Sequence, residues 1–162
     1  MEGWYFDTGA SGNMSYSCNQ MTNFRPCNML IYVANGVSLP VEGQGNLVVD
    51  FQSGSQSVRM TLRDVAYVPK LSYHLLSLRT VVEHGSTYHG DKKGITVHMK
   101  SGEDMLVPVV GKMYIQCGRR VPSDEACAVI SPGLLPTTDV DINHYHRATA
   151  HAHPRLLRKT AA

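Results

Sequence analysis

The sequence has few of the features that mark specialised classes of protein. No apolar run approaches the roughly 18 residues that a membrane-spanning helix needs, so we expect a chain that is soluble or associated through partners, with no membrane contact. The net charge is only +2, from 15 basic and 13 acidic residues. So small an excess does not indicate a nucleic-acid binder, because a phosphate backbone is recognised by clustered Lys and Arg.

The cysteines do not form a recognisable motif. The four of them, Cys18, Cys27, Cys117 and Cys127, have no Cys-x-x-Cys spacing and no known disulfide framework. The N-terminus has no secretory pattern. We therefore expect reduced thiols in an intracellular, cytoplasmic protein, and nothing in the sequence indicates a cofactor.

The most informative segment is residues 4–11, Trp-Tyr-Phe-Asp-Thr-Gly-Ala-Ser. A bulky apolar strand runs into an Asp-Thr-Gly turn, which is how an aspartic protease holds its catalytic carboxylate. The strand would position Asp7, the Thr8 hydroxyl could bond to a partner loop, and Gly9 would allow a tight turn. Ala10 and Ser11 would support the loop.

The chain contains no second Asp-Thr-Gly or Asp-Ser-Gly. The chemistry needs two carboxylates that share a proton, one basic to activate water and one acidic to protonate the carbonyl. An active form would therefore be a symmetric homodimer. The alternative is that Asp7 is a turn residue whose carboxylate accepts hydrogen bonds from nearby backbone N–H groups.

Alternating apolar residues predict strands after this loop. Asn35-Gly36 lies between two strand-like runs, which is the strongest short-range hairpin signal, and such a hairpin could cover a cleft. Residues 47–51 and 58–62 predict a second hairpin, residues 65–69 a strand, and residues 75–85 a short helix that ends at a glycine. Further runs at 94–99, 105–110 and 113–116 predict a meander.

Five motifs occur in the order found in copia-type LTR retrotransposon Pol polyproteins. They are residues 7–11 (Asp-Thr-Gly-Ala-Ser), 33–36 (Val-Ala-Asn-Gly), 41–45 (Val-Glu-Gly-Gln-Gly), 62–69 (Leu-Arg-Asp-Val-Ala-Tyr-Val-Pro) and 75–78 (Leu-Leu-Ser-Leu). The chain therefore resembles the protease region of these polyproteins. The common form of the first motif has Ser where this chain has Thr8, and both carry a hydroxyl.

The resemblance implies an all-β fold. Residues 1–89 would form a retropepsin-like closed β-barrel with a flap hairpin and one short helix. The residue pattern of the remainder predicts a meander over residues 90–116, a linker over residues 117–143, and an irregular or helical tail over residues 144–162. Asp7 matches the catalytic aspartate, with Thr8 and Gly9 in the same motif. The flap matches Ala34, Asn35 and Gly36, which together with Ala10 and Ser11 would hold the substrate.

The function implied is that of an aspartic endopeptidase that cleaves peptide bonds of the Pol polyprotein, in the cytoplasm or in a virus-like particle. Its partners would be that peptide substrate and a second copy of the chain. Nucleic acid would be contacted only through neighbouring regions of the polyprotein.

The resemblance continues at the C-terminus. Residues 111–115 resemble the Gly-x-Leu-Tyr segment before the integrase, and residues 145–154 resemble a degenerate form of the motif that opens the zinc-binding pre-integrase region. In the family, two histidines are followed by a Cys-x-x-Cys pair, so that four ligands can close a tetrahedral site. No cysteine follows His153, so we assign no metal and interpret the tail as solvated; a zinc-dependent nucleic-acid module is the weaker alternative.

A second function stays open. Six residues precede Asp7, whereas retropepsins use an additional N-terminal strand to build the dimer. The degenerate histidine motif also fits a decayed reading frame. The alternative is therefore a catalytically inactive, transposon-derived β-barrel fragment that at most binds a peptide or another segment of Pol.

Overall fold

The computed structural model describes residues 1–33 and 36–122. In these residues the chain forms ten β-strands and one helix of six residues. The elements are β1 (Glu2–Asp7), β2 (Met14–Ser15), β3 (Thr22–Tyr32), β4 (Ser38–Ser53), β5 (Gln56–Tyr67), β6 (His74–Ser77), α1 (Leu78–Glu83), β7 (Thr87–Gly90), β8 (Gly94–His98), β9 (Asp104–Val110) and β10 (Met113–Val121). The prediction of an all-β fold with one short helix is confirmed.

Six of the strands pair with one another in a closed ring, in which the last strand pairs with the first. β4 pairs with β5, β5 with β2, β2 with β6, β6 with β1, β1 with β10, and β10 pairs back to β4. β3 extends the sheet from β4, and β9, β8 and β7 extend it from β10. The pairs β1–β6 and β2–β5 are parallel. The first and last strands of the described chain are thus neighbours.

The main core combines alternate residues of the ring strands with residues of α1, β8 and β9. Trp4 and Phe6 of β1 both pack against Phe51 of β4, with ring centroids 6.0 and 5.6 Å apart and edge-to-face geometry. All three side chains are buried, and burying one side chain of this size contributes roughly 1.5–3 kcal/mol. The other members are Met21, Leu47, Val49, Val58, Met60, Leu62, Val65, Leu76, Leu78, Val81, Ile95, Val97, Met105 and Val107.

A second, smaller cluster uses the opposite face of β1 and β6, and we call it the hairpin cluster. Phe6 and Leu76 belong to the main core, whereas their neighbours Tyr5 and Leu75 pack in the hairpin cluster. Its buried members are Met14, Ile31, Val41, Ala66, Val68 and Leu75. The cluster therefore connects the β3–β4 hairpin to β2, β5 and β6.

The predicted helix at residues 75–85 is shorter than expected. Its first three residues lie in β6, and the helix covers only Leu78–Glu83. Leu75 and Leu76 pair in parallel register with Tyr5 and Phe6 of β1. The apolar run was compatible with either structure, and this long-range pairing decided for the strand.

The strand β10 runs past the expected start of the linker at residue 117. Gly118 to Val121 pair with Phe51 to Val48 of β4, so these residues complete the ring. β10 is thus part of the ring, whereas we expected residues 113–116 to lie beyond the barrel. The other parts of the expected linker and tail, residues 123–162, lie outside the described residues, as do Ala34 and Asn35.

A substitution at Gly118 tests the closure of the ring between β10 and β4. A Cβ at this position would lie 2.6 Å from Val49 Cγ1 and 3.0 Å from Phe51 Cε1. We expect Gly118→Ala to lower the free energy of unfolding by about 1–3 kcal/mol, because an overpacked core must shift to make room. Urea denaturation measures the change.

The matched control is Gly3→Ala in the adjacent strand β1. Its Cβ would lie at an ordinary 3.7 Å from Ile115 Cγ2, so its effect should be much smaller. Equal effects of the two substitutions would contradict the proposed close approach of β10 and β4.

Candidate active site

Asp7 is the last residue of β1 and is partly buried. Trp4 and Phe6 anchor the strand in the main core, and in an extended strand Asp7 shares the opposite face with Tyr5. The Asp7 carboxylate accepts a hydrogen bond from the Gly9 N–H, with Oδ1 and N 2.7 Å apart. This is a turn interaction within the Asp-Thr-Gly motif, and it holds the carboxylate at the end of the strand.

The structure places the other predicted residues of the loop close by, with different exposures. Thr8 is exposed, Gly9 and Ser11 are partly buried, and Ala10 is buried. Gly9 is not among the glycines with a positive φ. We expected a tight turn that needs glycine, but Gly9 does not adopt a left-handed backbone. Its role in the loop is to donate its N–H group to the Asp7 carboxylate.

Two buried residues that the sequence did not single out hold this loop. Asn13 Oδ1 accepts hydrogen bonds from the Ser77 N–H (2.9 Å) and the Thr80 hydroxyl (3.2 Å). The Ser77 hydroxyl donates to the Ala10 carbonyl and also accepts from the Thr80 N–H, which makes Ser77 the N-cap of α1. The loop after Asp7 is therefore fixed to the β6–α1 junction.

The β3–β4 hairpin carries the predicted flap. Within the described residues, Gly36 has φ of 81°, which glycine adopts at little cost, and its N–H donates to the Val33 carbonyl (2.8 Å). Further along the same hairpin, Ile31 and Val41 pack in the hairpin cluster with Leu75. The hairpin thus packs on the face of β1 and β6 that carries Tyr5 and, at its end, Asp7.

A cleft of about 190 Å³ lies elsewhere, between β5, α1 and the turn after β8. Asn13 and Thr80 line it, but Asp7 does not. Asn13 and Thr80, which help to support the Asp7 loop, thus lie at the border of this cleft, whereas Asp7 lies on the side of the hairpin.

A comparison of the chain with known protein families identifies its family. Residues 4–86, just over half of the chain, match the family model of the Pol polyprotein, beta-barrel domain. The chain belongs to this family. No curated protein matches it. The match confirms the Pol polyprotein region, and it spans both the Asp7 loop and the β3–β4 hairpin.

This Pol β-barrel domain also contains a buried histidine. His74 lies between Trp4 and Tyr16, with ring centroids 4.7 and 4.1 Å away and nearly parallel planes. Neither ring nitrogen makes a hydrogen bond, although Nε2 lies 3.3 Å from Glu2 Oε2. Burial lowers the pKa of His74 to about 4, while Glu2 raises it and Arg120 lowers it further.

Arg120 ties the two ends of the Pol β-barrel domain together. It is only 8% exposed, and its guanidinium donates to Glu2 Oε2 (2.8 Å), to the carbonyls of Ser17 (3.0 Å) and Asn19 (2.6 Å), and to Ser15 Oγ (2.9 Å). A buried charge is tolerated when it is paired and hydrogen-bonded in this way. The sequence showed no signal for it, because Glu2 and Arg120 lie at opposite ends of the described chain.

The described part of the chain also shows the state of its cysteines and of its potential metal ligands. Residues 1–33 and 36–122 contain no group of three metal-ligating side chains and no helix that is long and apolar enough to cross a bilayer. Cys18, Cys27 and Cys117 are free thiols, and burial raises the pKa of Cys27. Cys127 and the C-terminal histidines lie outside the described residues, so the predictions for them stay predictions.

Because Ser77 supports the loop after Asp7, we expect Ser77→Ala to lower the free energy of unfolding. The substitution removes the N-cap of α1 and leaves the buried Ala10 carbonyl without this donor, so we expect about 1–3 kcal/mol. The control is Ser57→Ala, an exposed serine of β5, which should change the free energy of unfolding by less than about 0.5 kcal/mol. Equal losses in thermal denaturation would contradict the capping role.

His74 predicts acid sensitivity. The folded state holds the neutral ring, so between about pH 6.5 and 4 the unfolded chain binds more protons and stability falls as the pH falls. The loss of stability begins below the ordinary pKa of 6.5 and reaches roughly 3 kcal/mol at about pH 4.

The measurement compares His74→Phe with the unmodified chain by urea denaturation at pH 7 and pH 4.5. The aromatic ring keeps the stack with Trp4 and Tyr16 but does not titrate. We expect the variant to lose less stability between the two pH values. Parallel losses would show that His74 does not cause the acid sensitivity.

Proposed function

We propose that this Pol β-barrel domain is the aspartic endopeptidase of a copia-type retrotransposon polyprotein and that it acts as a homodimer. The single observation that carries the proposal is the position of Asp7, in an Asp-Thr-Gly loop at the end of β1, on the strand face that also meets the hairpin cluster. The ring of pairings from β4 through β5, β2, β6, β1 and β10 supports a closed barrel of the retropepsin type.

The proposed mechanism needs two copies of Asp7 across a two-fold axis. Two carboxylates that are close together do not both ionise readily, so the pair holds a single proton near mildly acidic pH, as in aspartic-protease dyads generally. The ionised carboxylate takes a proton from water, and the water attacks the carbonyl of the peptide. The protonated carboxylate then donates its proton to the carbonyl oxygen.

The substrate would be an extended segment of the polyprotein. The β3–β4 hairpin would bind it by adding backbone hydrogen bonds, as strands do, and would exclude water when it closes. Val37, next to the proposed tip of the hairpin, is 50% exposed, which leaves apolar surface for a peptide side chain. Gly36, with Ala34 and Asn35, is the proposed tip.

A second candidate is an inactive barrel that at most binds a peptide or another segment of Pol. The hydrogen bond that the Asp7 carboxylate accepts from the Gly9 N–H is one that a turn residue without a catalytic role would also make. This carboxylate interaction is compatible with both functions, so it does not choose between them.

The test of catalysis is Asp7→Asn. The amide oxygen can still accept the Gly9 N–H, so we expect an intact fold, but the amide cannot act as base and cleavage should be lost. The assay is cleavage of peptides from the polyprotein at mildly acidic pH, with circular dichroism to check folding. Cleavage by Asp7→Asn at an unchanged rate would dispose of the mechanism.

The matched control is Asp64→Asn. Asp64 is exposed and pairs only at the surface with Arg25 (2.7 Å), so the control should keep full activity. Light scattering separates the two candidates further. A dimer that is inhibited by a statine-type transition-state mimic supports the enzyme, whereas a strict monomer that ignores the mimic supports the inactive barrel.

A further inference from the structure

The cleft between β5, α1 and the turn after β8 is lined by basic residues and by no acidic ones. Four of its lining residues are Arg, Lys or His, and none is Asp or Glu. They are Arg59, Arg63, His84 and Lys100, of which the two arginines and the lysine carry a positive charge. A concave site that is lined by one sign of charge concentrates ions of the opposite sign. The cleft is therefore set up for an anion.

Not all of the basic side chains in the cleft are available to bind a ligand. Arg59 is held by Asp50 through two hydrogen bonds of 2.7 and 3.0 Å, and His84 has its Nδ1 against the Thr80 carbonyl at 2.7 Å. In contrast, within residues 1–33 and 36–122, Arg63 and Lys100 make no ion pair. Both are exposed, so two uncompensated positive charges remain at this cleft.

The strand geometry directs neighbouring polar groups to the same side. Along β5, Met60 and Leu62 are buried, whereas Arg59, Thr61 and Arg63 are exposed. Because side chains alternate along a strand, the Thr61 hydroxyl lies between the two arginines and can donate to the same ligand as Arg63. The one acid in the adjacent turn, Glu103, accepts the Ser101 hydroxyl at 3.0 Å.

We propose that this cleft binds a phosphate group, from free phosphate or from the backbone of a nucleic acid. A phosphate offers several acceptor oxygens and can accept from Arg63, Lys100 and Thr61 at once, whereas a carboxylate has only two oxygens. Charged hydrogen bonds of Arg and Lys to phosphate are among the stronger polar contacts of proteins. The site is separate from Asp7, and its occupancy does not depend on peptide cleavage.

The experiment follows backbone amide shifts of the full chain by NMR during titration with inorganic phosphate, and in a second arm with a single-stranded oligonucleotide. We expect saturable shifts at Thr61, Arg63 and Lys100. A tighter response to the oligonucleotide, with an affinity that falls as salt is raised, assigns the phosphate to a nucleic-acid backbone. An equal or tighter response to inorganic phosphate assigns it to a small ligand.

The decisive variant is Arg63→Gln combined with Lys100→Gln, which should weaken binding by at least about tenfold because both cationic donors are lost. The control combines Lys70→Gln with Lys112→Gln, which removes the same charge at exposed positions outside the cleft. Control binding should stay within about twofold of the unmodified chain, as expected for a site rather than for net charge.

Three results would overturn the proposal. The first is the absence of saturable shifts at the cleft with either probe. The second is an equal loss of binding in the control and in the cleft variant. The third is a response to the oligonucleotide that is confined to residues 123–162 together with no response of the cleft to inorganic phosphate, because the basic C-terminal segment alone would then account for the binding.

Discussion

The parallel pairing of β1 with β6 is the constraint on which the rest of the structure depends. It places residues 4–7 beside residues 74–77, so that β6 is buried on both faces and β1 is buried on one face and partly buried on the other. One face belongs to the main core and the other to the hairpin cluster. Since Asp7 and Ser77 are register partners, the loop after Asp7 and the start of α1 must meet, and Asn13 joins them.

The same pairing explains why an ionisable network is buried. His74 is the register partner of Trp4 and is therefore placed inside the sheet, next to Glu2 and Arg120. A low pKa in His74 weakens the fold at the mildly acidic pH where a pair of aspartates would share a proton. For a protease built on this domain, activity and stability would thus oppose each other in the same pH range.

Asn13 and Thr80 connect the two regions of functional interest. Both take part in the hydrogen bonds that fix the Asp7 loop, and both line the basic cleft. A ligand in the cleft would therefore lie near the residues that support the loop and away from Asp7. Asp7 and the cleft are thus separate sites that share the β6–α1 junction.

Local patterns were enough to predict much of the fold. The alternation in β4 and β5, the hairpin about Gly36 and the Asp-Thr-Gly loop all depend on residues close in sequence, and each was recognised from them. Ser77 could also have been found, since a serine before a helical run is an ordinary N-cap signal. Asn13 gave no such signal, because its partner Ser77 lies 64 residues away.

The sequence by itself determined the strand-rich character, the position of the hairpin and the identity of the acid in the loop, because these follow from side-chain periodicity and turn chemistry over a few residues. Only the tertiary structure decided that residues 74–77 form a strand, that β10 closes the ring onto β4, and that His74 and Arg120 are buried. Those outcomes depend on contacts between distant segments, as with Arg120 and Glu2, which are 118 residues apart. Such contacts leave no periodic trace in the sequence.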